Sequence, residues 1–87
     1  MEVLTAVKAL GNVIRQKRER LYPVQKEFAY EAGIEKTHYS HIECGITCVT
    51  LRTLFKICRH LHITPWELLE AALKHIWDEE EEKDMKG

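Results

Sequence analysis

Two short helical segments meet at Gly33-Ile34, and this junction limits the possible folds more than any other feature of the chain. The segments cover roughly residues 24–32 and 35–43, and each carries an apolar face. Isolated helices of about nine residues are not stable in water. Both segments therefore need a larger scaffold to pack against, and a tight turn at Gly33 would set them at a steep angle.

Apolar residues at helical spacing predict three further helices. The first covers roughly residues 3–21 and ends at the Tyr22-Pro23 step, because a proline disfavours the helical conformation in the residue before it. The fourth follows Thr50, a suitable N-cap. The fifth begins at Thr64-Pro65-Trp66-Glu67, which combines an N-cap, a proline at the first helical position and a capping-box glutamate. We find no alternating pattern long enough for a useful strand, so we predict an all-α fold of five helices.

The last helix is expected to pass Trp77 and enter an acidic run. Acidic side chains interact unfavourably with the C-terminal end of a helix, so residues 78–87 are predicted to be a frayed or disordered tail. Residues 1–77 would form one domain, with Trp66 in its core. A stripe on the last helix has little core left to cover and predicts a dimer interface, made of Leu69, Leu73, Ile76 and Trp77.

Charge is unevenly distributed although the net charge is only −1. Residues 15–59 carry nine Lys and Arg against five Glu, whereas residues 60–87 carry three Lys against eight Asp and Glu. A basic middle and an acidic end suit a surface that binds a polyanion beside one that repels it. No apolar run approaches the roughly 20 residues of a membrane span. The N-terminus lacks the features of a signal peptide, so we expect a cytoplasmic location.

The polar residues do not predict catalysis or metal binding. Three cysteines without secretory features indicate reduced thiols. The spacing from Cys44 through Cys48 and Cys58 to His60 matches no common zinc site. We see no carboxylate pair, no nucleophile with its base and no phosphate-binding loop. We therefore expect that the protein is not an enzyme and that it binds neither a metal nor a cofactor.

The third predicted helix has two different sides. Ile34, Tyr39 and Ile42 form its apolar back. Four hydrogen-bonding side chains lie on the opposite face: Lys36, Thr37, His38 and His41. A solvated helix surface is the simpler interpretation of such a face in isolation. The other interpretation is a face with suitable reach for the major groove of DNA. There Lys36 suits guanine O6 or N7, Thr37 offers a hydroxyl and a methyl group for thymine, and His41 donates from a ring nitrogen.

A longer pattern places this face in a family. The motif is Gln25-x2-Phe28-Ala29-x3-Gly33-Ile34-x4-Tyr39-Ser40-x-Ile42-Glu43-x-Gly45. It resembles the phage repressor and Cro-type (XRE-type) helix-turn-helix family, over about residues 7–73. The resemblance implies a compact, lambda-repressor-like domain whose second and third helices form the helix-turn-helix. It also implies a sequence-specific transcriptional regulator, usually dimeric, that reads a short palindrome in double-stranded DNA.

The same resemblance implies roles for single residues. Gln25 would contact a phosphate and brace the recognition helix, while Lys36, Thr37 and His41 would reach base edges. His38 would reach a phosphate or a flanking base. The loop that contains Thr47 would offer backbone N–H groups to phosphates. Two residues, Arg18 and Glu43, would form a structural ion pair.

Some positions depart from the family pattern. Glu35 stands at the usual cap of the third helix, where it would repel a phosphate unless it pointed towards Lys36 or Arg52. Tyr39 is bulky for a position that is normally aliphatic. Residues 35–40 also resemble the recognition segment of small controller proteins of restriction–modification operons, so such a controller and a mobile-element repressor both remain open. The alternative class is an antitoxin-like module whose C-terminal helix and tail bind a protein partner.

Overall fold

The computed structural model describes the backbone of residues 3–86 and the side chains of residues 5–80. This part of the chain forms helices α1 (Val3–Leu21), α2 (Gln25–Ala32), α3 (Lys36–Glu43), α4 (Leu51–Leu61) and α5 (Pro65–Lys86), with no strand. The predicted all-α class with five helices is confirmed. None of the described helices is both long and apolar enough to cross a membrane.

Local sequence determines where α4 and α5 begin. The Oγ1 atom of Thr50 accepts a hydrogen bond from the backbone N–H of Thr53 at 3.3 Å. Oγ1 of Thr64 accepts from the N–H of Glu67 at 3.2 Å. Each hydroxyl therefore satisfies one backbone N–H that has no partner inside its helix. In contrast, Val24 gives α2 no side-chain cap, so this helix depends more on its packing.

The turn between α2 and α3 is fixed by Gly33. Its φ angle of 72° lies in the left-handed region, which glycine adopts without steric penalty. The N–H groups of Gly33 and Ile34 donate to the carbonyls of Tyr30 and Ala29, at 3.1 and 2.9 Å. These two bonds close the end of α2 and send the chain sharply into α3. The predicted helix-turn-helix junction is therefore present.

The core lies where the five helices meet. Tyr39 of α3 packs on Phe28 of α2, with ring centroids 5.2 Å apart, and Tyr22 packs edge-on against Phe28 at the same centroid distance. Each large side chain that is fully buried contributes about 1.5–3 kcal/mol. The largest fully buried residues are Tyr39, Phe28, Ile14, Ile42, Ile57 and Leu68. Because two of these six belong to α3, the back of α3 is a central part of the core.

The backbones of α1 and α3 approach each other closely at Gly11. A Cβ atom at this position would lie 2.3 Å from the carbonyl oxygen of Ile42 and 2.8 Å from that of Glu43. Any side chain larger than hydrogen would therefore push α3 away from α1. Gly11 fixes the distance between the C-terminal end of α3 and the helix that supports it.

Two predictions about α5 are wrong. Trp66 is 68% exposed and is not in the core, whereas Ile76 is only 3% exposed and is buried inside one copy of the chain. The reason is the register of the buried stripe, in which Leu68, Ala72 and Ile76 follow one another at intervals of four residues. Trp66 precedes Leu68 by two residues and therefore points away from the core. The stripe requires Ile76 as its last member, so Ile76 is not free for a second copy.

The last helix extends beyond the expected domain boundary. Helix α5 continues through the acidic run to Lys86. Nothing is described for the side chains of residues 81–87, so the acidic tail falls largely outside the described side chains. The division into a domain of residues 1–77 and a tail of residues 78–87 stays a prediction.

Candidate DNA interface

Helix α3 is buried on one side and exposed on the other. Tyr39 and Ile42 are 0% and 2% exposed, and they anchor the back of the helix in the core. The structure brings four of the predicted binding residues together on the exposed face: Lys36, Thr37, His38 and His41. A short polar helix face held by a rigid apolar back has the dimensions to enter a major groove.

A buried ion pair attaches the end of α3 to α1. Nε and Nη2 of Arg18 each donate to the Glu43 carboxylate at 2.9 Å. Nη1 of Arg18 also donates to the carbonyls of Tyr22 and Pro23, at 3.0 and 3.1 Å. Arg18 and Glu43 are 5% and 6% exposed. Two parallel bonds to one carboxylate fix direction as well as distance, so this pair holds the orientation of α3.

Gln25 connects α2 to the same carboxylate. Its Nε2 atom donates to Oε1 of Glu43 at 2.9 Å. One carboxylate therefore joins three helices, through Arg18 of α1, Gln25 of α2 and Glu43 itself on α3. An amide nitrogen has two hydrogens, so Gln25 keeps one donor for another partner.

The charges of this cluster stabilise each other. Burial alone would raise the pKa of Glu43, but hydrogen bonds from Arg18 and Gln25 outweigh it and lower that pKa. The hydrogen bond to Glu43 raises the pKa of Arg18 in spite of its burial. Both groups are therefore charged at neutral pH, and the pair is complete.

The Tyr39 hydroxyl lies beside this ion pair. It is buried and forms no hydrogen bond with any group in the described part of the chain. Burial, and then the nearby Glu43 carboxylate, raises the pKa of this hydroxyl above its ordinary value. Tyr39 thus fills the core with its ring and keeps an unsatisfied polar atom, which costs stability.

Glu35 caps α3 with its own side chain. Oε1 accepts from the backbone N–H of Thr37 at 3.0 Å, and Oε2 accepts from that of His38 at 2.8 Å. These backbone hydrogen bonds lower the pKa of Glu35, first the one from Thr37 and then the one from His38. Among the described side chains Glu35 forms no ion pair with Lys36 or Arg52. The carboxylate instead occupies the N-terminal end of the recognition helix.

The remaining predicted contacts lie around α3. Thr47 is half-buried in the loop after α3. In that loop Gly45 has a φ angle of 72°, and a Cβ there would lie 2.7 Å from the Cα of Lys8. The loop is therefore packed against α1 at Gly45, which holds Thr47 in a fixed place near the end of α3.

Apolar side chains remain exposed away from α3. Leu69 and Trp77 are 47% and 57% exposed, and Leu73 is half-buried. Leu69 and Leu73 line an apolar groove of about 320 Å³ between α1 and α5, whose other walls are Ala6, Val7, Leu10, Cys48, Ala72 and Ile76. We call this the α1–α5 groove. Further exposed apolar residues are Leu51 and Phe55 of α4, at 70% and 56%, and Trp66.

The three cysteines differ in burial. Cys58 is buried in the core, while Cys44 and Cys48 are exposed. Burial raises the pKa of the Cys58 thiol, which makes it less reactive. Among the described residues, no three of the side-chain types that bind metals come close enough to share an ion.

The predictions from the sequence do not include how two residues, Gly11 and Glu35, position the site. Gly11 carried a signal, because an isolated glycine inside a helix often marks a close approach of two backbones. The sequence places Glu35 at the cap position of α3, but the prediction does not include capping bonds to its own carboxylate. Its spacing to Thr37 and His38 fits the bonds that an N-cap accepts, so the capping role was readable.

Comparison with known proteins agrees with this geometry. A family model described as helix-turn-helix matches residues 14–68. The restriction–modification controller protein C.AhdI from Aeromonas hydrophila is 26% identical, with 71% of this chain and 94% of that chain covered and a TM-score of 0.67. No curated protein sequence matches the chain.

Two further solved structures are similar in fold. The clp gene regulator ClgR from Corynebacterium glutamicum is 21% identical and has a TM-score of 0.84, with 98% of this chain and 88% of that chain covered. The controller protein C.Esp1396I is 23% identical and has a TM-score of 0.73, with 90% and 99% covered. The chain belongs to the XRE-type helix-turn-helix family of DNA-binding transcriptional regulators.

Proposed function

We propose that this regulator reads a specific DNA sequence by inserting α3 into the major groove. The observation that carries the proposal is the exposed polar face of α3 on a buried, rigidly held back. Lys36, Thr37 and His41 are assigned to base edges, because their donors and the threonine methyl match groups that bases present there. His38 is assigned to a phosphate or a flanking base.

Two groups beside α3 are assigned to phosphates. Gln25 has one amide hydrogen left after its bond to Glu43, and this donor suits a phosphate oxygen. The loop around Thr47 offers backbone N–H groups for the same purpose. Such contacts fix the register of a protein on the duplex without selecting a sequence. A phosphate held by Gln25 would be linked through Glu43 to the orientation of α3.

We propose that the regulator binds DNA as a homodimer. Helix α3 has eight residues and spans about 12 Å, which is the length of three to four base pairs. One such helix reads too few base pairs to select a site, whereas two copies related by a two-fold axis read twice as many. The surface assigned to the second copy is the rim of the α1–α5 groove, at Leu69 and Leu73, together with Trp77.

Among regulators, we favour a controller of a restriction–modification operon over a mobile-element repressor. Residues 35–40 resemble the recognition segment of such controllers, and C.AhdI is similar over 71% of this chain. The genes next to the one that encodes this chain provide the check. An adjacent pair for a restriction endonuclease and a methyltransferase would support the assignment, and their absence would oppose it.

Selection of binders from a random duplex library at moderate salt tests the proposal. We expect an enriched two-fold site with half-sites about one helical turn apart. A variant that carries both Lys36→Ala and His41→Ala is the matched control, since both residues are exposed and their loss should not unfold the domain. Binding to all duplexes of the library alike, which weakens as the salt concentration rises and enriches no site, would contradict sequence reading. That outcome would favour a protein-interaction module.

A further inference from the structure

The carboxylate of Glu35 is held at a fixed place on the edge that α3 presents to DNA. Its two oxygens accept hydrogen bonds from the N–H groups of Thr37 and His38, at 3.0 and 2.8 Å. A side chain bonded through both oxygens has little rotational freedom. Glu35 is nevertheless exposed, so the lone pairs that do not face α3 are open to a partner from outside.

The chemistry of a carboxylate limits what that partner is. An ionised carboxylate only accepts hydrogen bonds, and it repels phosphates. The backbone N–H groups of Thr37 and His38 lower the pKa of Glu35, so the charge persists at neutral pH. The end of α3 therefore does not hold a phosphate, and a favourable partner for Glu35 is a hydrogen-bond donor.

The major groove offers few donors. They are the amino groups of cytosine N4 and adenine N6, since guanine and thymine present only acceptors and a methyl group there. In adenine the N7 acceptor lies next to the amino group and would repel the second carboxylate oxygen. Cytosine is therefore the base that suits Glu35 best.

The next residue completes a base pair. Lys36 is exposed and forms no ion pair with any described side chain, so its ammonium group is available. Its natural targets are O6 and N7 of guanine. We propose that Glu35 and Lys36 read one G·C base pair together, with the Glu35 carboxylate on the cytosine amino group and the Lys36 ammonium on the guanine.

This inference rests on the proposed function, because it requires α3 in the major groove. It assigns Glu35 two roles, as the cap of α3 and as a specificity-determining residue. It also predicts that the protein disfavours other base pairs at this position, since any base that presents an acceptor to Glu35 is repelled. The position read by this pair should therefore be the most restricted in each half-site.

The two roles are separable by Glu35→Asp. Aspartate is as good an N-cap as any residue, so α3 should remain capped and the melting temperature should not fall. Its side chain is one methylene shorter, which withdraws the carboxylate from the base. The wild type and the variant therefore differ in the base contact and not in the fold.

The test uses the selected site with one chemical change. In a pair with guanine, one hydrogen of cytosine N4 faces the major groove, and N4-methylcytosine replaces that hydrogen with a methyl group. We expect this change to weaken wild-type binding by about 5- to 150-fold. It should weaken Glu35→Asp binding far less, because that variant makes no bond to lose. An equal loss in both proteins would overturn the inference.

The outcomes separate this inference from the proposed function. If selection yields no enriched site, both fall together. If a site is enriched but no G·C pair responds to the residue at position 35, sequence reading stands and only the joint reading of a base pair by Glu35 and Lys36 falls. Replacing the guanine with 7-deazaguanine removes N7 and reports on Lys36 in the same way.

Discussion

The two surfaces assigned to binding are built in opposite ways. Around α3, the charged residues Arg18 and Glu43 are buried beneath the site and the half-buried Gln25 bonds to the same carboxylate. Polar groups also cover the exposed face of α3. At the α1–α5 groove the groups beneath are apolar, and so are the partly exposed residues of its rim, Leu69 and Leu73. The difference follows from what each surface is expected to meet.

A DNA-reading helix must be oriented to within small tolerances, because hydrogen bonds to base edges are directional. A buried bidentate ion pair supplies direction, which apolar packing supplies less well. A surface for a second copy mainly needs apolar area that is removed from water. Mutations around α3 should therefore change the orientation of this helix and the stability of the domain. Mutations at the α1–α5 groove should instead change the assembly of two copies.

The largest expected effect comes from Glu43→Gln. This change leaves the buried Arg18 guanidinium without its charged partner, and breaking such a pair costs about 3–5 kcal/mol. The free energy of unfolding, measured by denaturant titration, checks this value. A loss below about 1 kcal/mol would show that the network is not what holds α3.

The same pair predicts a dependence on pH. The pKa of Glu43 is lowered in the folded state, so its contribution is present above the pKa of the unfolded chain. It is lost as the pH falls through the lower folded value, that is, in acid below about 4. The unfolding free energy of the wild type should fall in that range, and Glu43→Gln should flatten the fall.

On the other surface, Leu69→Lys should weaken assembly without unfolding the domain. Leu69 is 47% exposed, so a charge there remains solvated in the monomer but is buried unpaired in the dimer. Dimerisation should weaken by about 2 kcal/mol or more. Sedimentation gives the measurement, with Lys74→Ala as the control on an exposed position of the same helix. An unchanged dimer would remove the α1–α5 groove from the interface.

Gly11→Ala tests the backbone contact that places α3 on α1. The added methyl would meet the Ile42 carbonyl, and strain of this kind costs about 1–3 kcal/mol. Because α3 must shift, DNA affinity should fall together with the melting temperature. A variant that keeps full stability would show that α1 and α3 do not need this close approach.

The smallest effect is expected for Tyr39→Phe. The buried hydroxyl has no hydrogen-bond partner in the described part of the chain, so its removal should be neutral or should stabilise by up to about 1 kcal/mol. The ring remains on Phe28 and the back of α3 stays filled. Thermal unfolding provides the check. A clear destabilisation would mean that the hydroxyl does bond to the Arg18–Glu43 pair.

Much of the architecture was readable from local signals. Thr50 and Thr64 cap helices where the sequence placed their starts, and Gly33 makes the turn, because these signals depend on a few neighbouring residues. Burial on α5 was not readable in the same way. Periodicity shows which residues share a face, but only the packing of α5 on α1 decides that Ile76 is inside and Trp66 outside.

The site shows the same limit. The exposed face of α3 followed from helical spacing, since its buried back was apolar. The bond from Gln25 to Glu43 did not, because it joins residues 18 positions apart through the turn that orients α3. Helical spacing also did not predict that His62 ends α4 with a φ angle of 58°, in a conformation that glycine usually adopts. Such details need the assembled helices.

The specificity ratio of Lys36→Ala tests most directly whether α3 reads bases. Dissociation constants are measured at one salt concentration, on the selected duplex and on duplexes with one base pair changed, for the wild type, Lys36→Ala and the control Lys74→Ala. If α3 reads bases, Lys36→Ala loses about 1–3 kcal/mol of discrimination at one base pair while Lys74→Ala keeps it. An equal loss of affinity on every duplex would mean that Lys36 meets only the phosphate backbone, and would contradict base reading by this helix.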